Sequence, residues 1–280
     1  MSKPRFNREK GSYKKFDQGD TNDKVAVAVA VVDDGKTGQR PSVMANVTTN
    51  ADVDNSGGLI TEWPAGLRKV IIDHFNVPVD EQGGKKYLKT HKWPSGMQDT
   101  ILKTCSKIPM RFFIVDDSGS MSTADGKRTI GTGSKTKVID CTRWSEVTAS
   151  LLFHAELAEA ASAPTEFRLL NGSDPIIVGL SKDKSGESLS LLKEVLAESP
   201  GGKTPLCAQI TAVVHEISSI QDALRAQGKK AAVIIATDGE ATDGDVASAL
   251  KPLEDLPVWV VIRLCTDEPA VMKYWEKVDN

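Results

Sequence analysis

The stretch FFIVDDSGSM, residues 112–121, decides the fold class of this chain and gives the first indication of a site. Four apolar residues that are typical of a buried strand are followed directly by a carboxylate, Asp116, and then by two hydroxyls, Ser118 and Ser120. A buried strand needs no such continuation, whereas a hard divalent cation needs oxygen ligands converging from a tight turn, which Gly119 allows to close. The stretch therefore predicts a metal site at the end of a strand.

A second stretch, AAVIIATDGE at residues 231–240, repeats this arrangement. Its apolar strand also ends in a carboxylate, Asp238, followed by a glycine. In open parallel α/β sheets, ligands bind outside the carboxyl ends of the strands, so Asp116 and Asp238 are expected to meet if their strands are neighbours. Between the two stretches, the turn SPGGKTPL at residues 199–206 presents Thr204 just before a long helical pattern.

Five oxygen-bearing side chains thus occur in a defined order along the chain: Asp116, Ser118, Ser120, Thr204 and Asp238. With them, residues 110–280 resemble the von Willebrand factor A domain and its metal-ion-dependent adhesion site. The resemblance implies an α/β fold of three layers, Rossmann-like, in which a mostly parallel central sheet is flanked by helices. It also implies that the five side chains hold Mg²⁺, or alternatively Mn²⁺ or Ca²⁺.

In that family the hydroxyls bind the ion, the aspartates act directly or through water, and one position stays open for a partner's carboxylate. The resemblance makes Ser118, Ser120 and Thr204 the hydroxyl ligands here. Magnesium suits such a site because it prefers oxygen ligands in octahedral geometry and keeps several waters. Two aspartates barely neutralise the ion, so an acidic side chain of a partner protein is the expected further ligand. This arrangement favours binding and not catalysis, so we expect no enzymatic activity.

Each motif residue also has an ordinary structural interpretation. The serines fit a turn, Thr204 fits a cap for the helix that Pro205 opens, and Asp followed by Gly is a common turn. The joint occurrence of all five at the ends of the right elements favours the metal site. Four neighbouring acidic residues are interpreted as solvated loop charges: Asp117, Glu240, Asp243 and Asp245.

The rest of residues 110–280 alternates between helical and strand patterns. Apolar spacing predicts helices at residues 144–163, 189–196, 206–224 and 269–278, and strands at residues 166–170, 176–180 and 259–265. This alternation predicts a parallel sheet. Compared with the family it resembles, the domain is predicted to be short at its C-terminus, where a further strand and a closing helix are usual.

The first 109 residues are predicted to form a tail and a small N-terminal region. Residues 1–24 are polar and locally basic, which is typical of a mobile tail, and residues 25–32 predict a strand. In residues 25–109, two helical faces follow at residues 67–75 and 97–105. Gly83 and Gly84 predict a loop between the two helices, and Ser95 is the predicted cap of the second.

A degenerate calcium loop is predicted before the first of these helices. Asp52, Asp54 and Ser56 follow the spacing of an EF-hand loop. Trp63, however, stands where the bidentate glutamate is required, so at most weak calcium binding is expected.

Composition bounds the remaining classes. The chain has 280 residues, a formal net charge of -3 and 40% hydrophobic residues, and no stretch reaches the length of a membrane span. Its four cysteines lack the CxxC spacing of a zinc site or the density of a disulfide framework, and no signal peptide is recognisable. These features predict an intracellular, cytoplasmic protein without a membrane partner.

The predicted function is a metal-dependent protein-interaction module. One alternative is a non-catalytic subunit of an ATP-driven or chelatase-type complex, in which a partner supplies the ATPase because the chain lacks a GxxxxGK[ST] loop. Another is RNA binding through the basic tail, although nucleic acid is the less favoured partner.

Overall fold

The computed structural model describes residues 63–131, 136–172, 174–180 and 186–278. Its α-helices are α1 (Ala65–His74), α2 (Glu81–Thr90), α3 (Ser95–Lys107), α4 (Arg143–Ala161), α5 (Glu187–Leu196), α6 (Leu206–Ala226), α7 (Val246–Leu250) and α8 (Pro269–Val278). Short 3-10 helices lie at Gly119–Ser122 and Lys251–Asp255.

The strands form one larger sheet and one hairpin. They are β1 (Arg111–Val115), β2 (Gly126–Ile130), β3 (Lys137–Cys141), β4 (Thr165–Leu169), β5 (Ile176–Val178), β6 (Ala231–Thr237) and β7 (Val258–Leu264). The sheet has five strands in the order β5-β4-β1-β6-β7, and β2 pairs with β3 in an antiparallel hairpin. All pairings in the sheet are parallel except that of β5 with β4. The fold is therefore α/β with a mostly parallel sheet, as predicted.

The central strand β1 contributes to two of the three apolar clusters that the described residues form, one on each face of the sheet. Phe112 and Ile114 point to one face, and Phe113 and Val115 point to the other, as the two-residue period of a strand requires. Residues of α1, α6 and α8 cover the first face, and residues of α4 and α5 cover the second. Helices thus flank the sheet on both sides, which explains why β1 is almost continuously apolar.

The order in which the chain adds strands to the sheet changes direction at β1. It runs from β1 outward to β4 and β5, and then returns to add β6 and β7 on the opposite side. The carboxyl ends of β1 and β6 therefore flank the point where the strand order switches, which is where open α/β sheets form their ligand crevices.

The predicted elements after residue 110 agree with the structure within a few residues, but the β2–β3 hairpin and the short helix α7 were not predicted. Val138 and Ile139 of β3 are both exposed, and the other residues of β3 are polar or half-buried. A hairpin that lies on the surface lacks the apolar alternation from which strands are recognised.

The prediction of a loop at Gly83 and Gly84 is wrong, because both glycines lie inside α2. A Cβ atom on Gly83 would lie 2.1 Å from the carbonyl oxygen of Ala160, and one on Gly84 would lie 2.4 Å from Leu102 Cδ2. The glycines therefore allow α2 to approach α4 and α3 closely. Residues 65–107 consequently form three helices where the sequence predicted two.

The predicted cap of α3 is also wrong. Ser95 is the first residue of the helix, Pro94 occupies the capping position, and no side chain caps this end. Proline has no N–H, so Pro94 leaves one unsatisfied backbone donor fewer at the start of α3.

The N-terminal predictions lie outside the described residues: the tail at 1–24, the strand at 25–32, and the calcium loop with Asp52, Asp54 and Ser56. Trp63, which takes the place of the last calcium ligand, is described. Its ring stacks on Phe112 with the centroids 5.7 Å apart, and its Nε1 donates to Glu166 Oε2 over 2.9 Å. This residue therefore serves the core of the domain.

In the parts of the chain that the structure describes, no helix is both long enough and apolar enough to cross a membrane.

A buried ionic cluster joins β4 to α6 beneath the first face of the sheet. Arg168 donates to Glu166 Oε1 and Glu216 Oε1, and its Nη1 lies 3.4 Å from Gln209 Oε1. Two carboxylates face one guanidinium out of contact with water. Desolvation, together with the nearby charge of Glu166, raises the pKa of Glu216 to about 9. Burial beside a second carboxylate therefore favours the protonated form of Glu216.

We expect Gly83→Ala to destabilise the fold by about 1–3 kcal/mol, because the added methyl group meets a backbone carbonyl that cannot move aside without shifting α4. Gly96→Ala is the matched control, since its Cβ meets nothing within 4 Å in α3. The control is expected to be neutral or up to about 1 kcal/mol more stable. Chemical denaturation measures both, and equal effects would contradict the close packing of α2.

We expect Glu216→Gln to flatten the pH dependence of stability. The folded pKa of about 9 lies above the ordinary value of 4.5, so this residue's stabilising contribution is complete below pH 4.5 and is lost as the pH rises towards 9. The variant, which cannot ionise, should therefore gain stability relative to wild type across that window. Unfolding measured at intervals from pH 5 to pH 9 tests this, and parallel curves would show that Glu216 does not hold the proton.

Candidate metal centre

The candidate centre begins where β1 and β6 end side by side. In this parallel pair Val115 lies opposite Ala236, and the backbone N–H of Asp116 continues the ladder by donating to the Ala236 carbonyl over 2.8 Å. Asp116 and Asp238 consequently follow adjacent strands at one edge of the sheet. Both are buried.

Hydrogen bonds through Ser118 and Ser120 connect the carboxylates of Asp116 and Asp238. Ser118 Oγ and Ser120 Oγ are 3.0 Å apart, and Ser120 Oγ donates to Asp238 Oδ1 over 2.8 Å. The backbone N–H of Ser118 donates to Asp116 Oδ1 over 2.9 Å. The structure thus links four of the five predicted residues by hydrogen bonds, three of them through their side chains and Ser118 also through its backbone N–H.

Thr204 belongs to a third loop that is hydrogen-bonded to the other two. Gly119 N–H donates to the Gly202 carbonyl over 3.3 Å, which joins this loop to the turn after β1. On the other side, Thr204 N–H donates to Thr242 Oγ1 over 3.2 Å, and Thr242 N–H donates back to the Thr204 carbonyl over 2.9 Å. Thr204 is therefore fixed, through its backbone, between the loops that carry the two aspartates.

The interpretation of Thr204 as a helix cap does not agree with the structure. The capping position of α6 is Pro205, and no side chain at that position caps the helix. Asp243 takes this role from the loop after β6, because its carboxylate accepts from Cys207 N–H over 3.1 Å and from Ala208 N–H over 2.8 Å. The Thr204 hydroxyl is thus not needed to begin α6.

The interpretation of the neighbouring acidic residues as solvated charges is wrong for Asp117. This side chain is buried, and its Oδ1 accepts from both Asn171 N–H and Asn171 Nδ2 over 2.9 Å. Asn171 Nδ2 also donates to the Lys203 carbonyl over 2.8 Å. Asp117 therefore ties the turn after β1 to the loop after β4. Asp243 and Asp245 are exposed, but they cap α6 and α7.

Two residues of the centre were missed from sequence. Thr237, the last residue of β6, is fully buried and donates from Oγ1 to Asp116 Oδ2 over 2.6 Å. Arg143, the first residue of α4, donates from Nη1 to Asp238 Oδ2 over 2.9 Å. A hydroxyl at the end of the apolar β6 pattern was a usable signal for Thr237. No sequence signal pairs Arg143 with a residue 95 positions away.

Burial and hydrogen bonding act in opposite directions on Asp116. Desolvation is the largest effect and raises the pKa of this carboxyl, and the charge of Asp238 adds to the increase. Hydrogen bonds from Ser118 and Thr237 lower the pKa in part. The net result is a raised pKa. A positive charge beside Asp116 would therefore stabilise its ionised form.

The donor set fits a small hard cation. In an octahedral Mg²⁺ shell with metal–oxygen distances of about 2.1 Å, neighbouring oxygens are about 3 Å apart. The spacings from Ser118 Oγ to Ser120 Oγ and from Ser120 Oγ to Asp238 Oδ1 are 3.0 and 2.8 Å. Both oxygens of Asp116 already accept hydrogen bonds, from Ser118 and Thr237, which suits a carboxylate that acts through water.

Such a centre would depend on hydroxyl oxygens. Within the described ranges, no three side chains of His, Cys, Asp or Glu are arranged to hold a metal ion. Soft or strongly charged metal sites use those residues, so the two carboxylates and three hydroxyls suit only an oxygen-seeking ion that keeps its waters.

One side of the candidate centre faces solvent. Ser120 is exposed, and so are Gly119 beside it and the glycine turn Gly201 and Gly202 that precedes Thr204. Lys203 is also exposed at this rim. The buried carboxylates therefore lie beneath exposed residues that are mostly small.

No protein-family model matches this chain, and a comparison with curated proteins finds no match either.

Proposed function

We propose that this protein is a metal-dependent interaction module, in which Mg²⁺ at the candidate centre binds an acidic side chain of a partner protein. The observation that carries the proposal is the hydrogen-bonded chain from Ser118 through Ser120 to Asp238, with Asp116 buried beside it. These oxygens come from two adjacent strand ends and have the spacing of neighbouring ligands around a small cation.

The hydroxyls support the proposal because the fold does not use them elsewhere. Ser118 precedes the 3-10 helix Gly119–Ser122, but its side chain does not cap it. Thr204 does not cap α6, because Asp243 does so. Buried hydroxyls normally serve backbone groups close by. The contact between the Ser118 and Ser120 hydroxyls, and that of Ser120 with Asp238, are consistent with a shared ligand.

The proposed interaction requires three contributions from the chain. Ser118, Ser120 and Thr204 would supply neutral oxygens, so the ion would keep much of its positive charge. Asp116 and Asp238 would attract the cation and orient its waters. When bound, the ion would supply an electrophilic centre for an oxygen ligand. The exposed glycine rim would admit a partner's carboxylate, and the positive charge of Lys203 at that rim would favour its approach.

Thermal unfolding in chelator and in magnesium tests the proposal. A ligand that binds only the folded state stabilises it by about 2.7 kcal/mol at a hundredfold excess over Kd. We therefore expect wild type to unfold at a higher temperature in millimolar Mg²⁺ than in chelator. Asp116→Asn should lose this increment because it removes one of two charges that attract the ion. An undiminished increment in Asp116→Asn would contradict the proposed centre.

We expect Thr204→Val to have a smaller effect than Asp116→Asn, because water can replace one neutral oxygen. Magnesium should still stabilise the variant, with affinity reduced by about tenfold or less. Binding of a carboxylate partner should fall further, since the ion would be held in altered geometry. Thr90→Val, a surface threonine on α2, is the matched control and should match wild type. Calorimetric titration with MgCl₂ gives the affinities.

A further inference from the structure

Among the described residues, Arg143 is the arginine whose guanidinium contacts an aspartate of the candidate centre, Asp238. It is 4% exposed and contacts three carboxylates. Nη1 donates to Asp238 Oδ2 over 2.9 Å, Nη2 donates to Glu268 Oε1 over 2.7 Å, and Nε and Nη2 form a bidentate pair with Asp125 over 2.8 and 2.6 Å. The first of these carboxylates belongs to the centre, and the other two lie outside it.

The three ion pairs differ strongly in their contact with water. The Asp238 side chain has no exposed surface, whereas those of Asp125 and Glu268 are 38% and 57% exposed. Solvent screens the two outer pairs, but it does not screen the inner pair to the same extent. Asp125 makes the bidentate pair that holds the guanidinium in place, and the pair with Asp238 is the least screened of the three, so the charge of Arg143 also acts on the centre.

Each oxygen of Asp238 accepts one hydrogen bond in this conformation. Oδ1 accepts from Ser120 and Oδ2 accepts from Arg143, so a positive charge already lies against this carboxylate. A divalent cation that enters the centre would share Asp238 with a fixed guanidinium, and two positive charges near one carboxylate repel each other.

We propose that Arg143 is a built-in countercharge that lowers the affinity of the centre for divalent cations and stabilises the fold when no cation is bound. The inference rests on the proposed function, because it concerns the same centre. Its physical basis is that burying Asp238 without a partner would be costly, and Arg143 removes that cost at the expense of metal affinity. The centre then fills only at high cation concentration.

The inference differs measurably from a purely structural role. If Arg143 only joins α4 to the segments carrying Asp125 and Glu268, its removal destabilises the protein equally with and without metal. If it is a countercharge, its removal destabilises the metal-free protein and the cation restores the loss. The size of the magnesium-dependent increment therefore separates the two roles.

The experiment compares wild type with Arg143→Met, which keeps much of the apolar stem and removes the charge. Thermal unfolding in chelator and in MgCl₂ is combined with calorimetric titration of MgCl₂ alone. We expect Arg143→Met to unfold at a lower temperature than wild type in chelator, to show a larger increment in magnesium, and to bind Mg²⁺ about tenfold more tightly. Should the variant fold only when magnesium is present, that result also supports the countercharge.

Two matched variants isolate the charge and its position. Arg143→Lys keeps the positive charge but loses the planar guanidinium that pairs with Asp125 through two hydrogen bonds. Its magnesium affinity should therefore stay close to that of wild type, and its stability should fall. Arg263→Met removes an arginine whose partner is the half-exposed Glu146 on the surface, and its magnesium response should be unchanged.

The outcomes distinguish this inference from the proposed function. If wild type binds magnesium and Arg143→Met binds it equally or more weakly, the countercharge is wrong and the metal-dependent module stands. An Arg143→Met protein that stays unfolded with and without magnesium also overturns the countercharge. If neither wild type nor a folded Arg143→Met binds magnesium, both proposals fail, because the variant leaves Asp238 without its competing charge.

Discussion

The parallel pairing of β1 with β6 is the constraint on which the rest of this molecule depends. It brings Asp116 beside Thr237 and Asp238, although 121 positions separate Asp116 from Thr237 in the chain. The pairing lies where the strand order switches direction, which is where open α/β sheets form their ligand crevices. Every other contact of the candidate centre is built around these two ends.

Burying two carboxylates at the carboxyl ends of adjacent strands costs desolvation free energy, and the surrounding residues offset this cost only in part. Hydrogen bonds from Ser118 and Thr237 favour the ionised form of Asp116, but desolvation outweighs them and its pKa stays raised. Asp238 receives a hydroxyl and a guanidinium instead. The two carboxylates therefore stand in unequal environments: one has a compensating charge, and the other has only dipoles. The unequal compensation underlies both proposals, since the deficit at Asp116 favours a cation and the charge at Asp238 opposes it.

Hydrogen bonds between the loops around the centre hold each loop against its neighbours. Asp117 ties the turn after β1 to Asn171, which reaches the glycine turn before Thr204, and Asp243 caps α6 from the loop after β6. Small residues allow these loops to approach each other, as Gly83 and Gly84 allow α2 to approach α4. Contacts between several loops fix the positions of polar side chains more accurately than a single turn would.

The sequence by itself determined the class of fold, the mostly parallel sheet, the five strands of that sheet, the longer helices after residue 110 and the five candidate ligands, because buried strands, amphipathic helices and strand-end carboxylates leave local patterns. The tertiary structure alone decided which polar residues support them. Asp117 looks like a loop charge, and Gly83 and Gly84 look like a turn, until the partners that bury them are known. Arg143 opens a helix whose pattern gives no sign that its guanidinium reaches Asp238. Ion pairs and close backbone contacts between distant segments depend on three-dimensional proximity, which local periodicity does not encode.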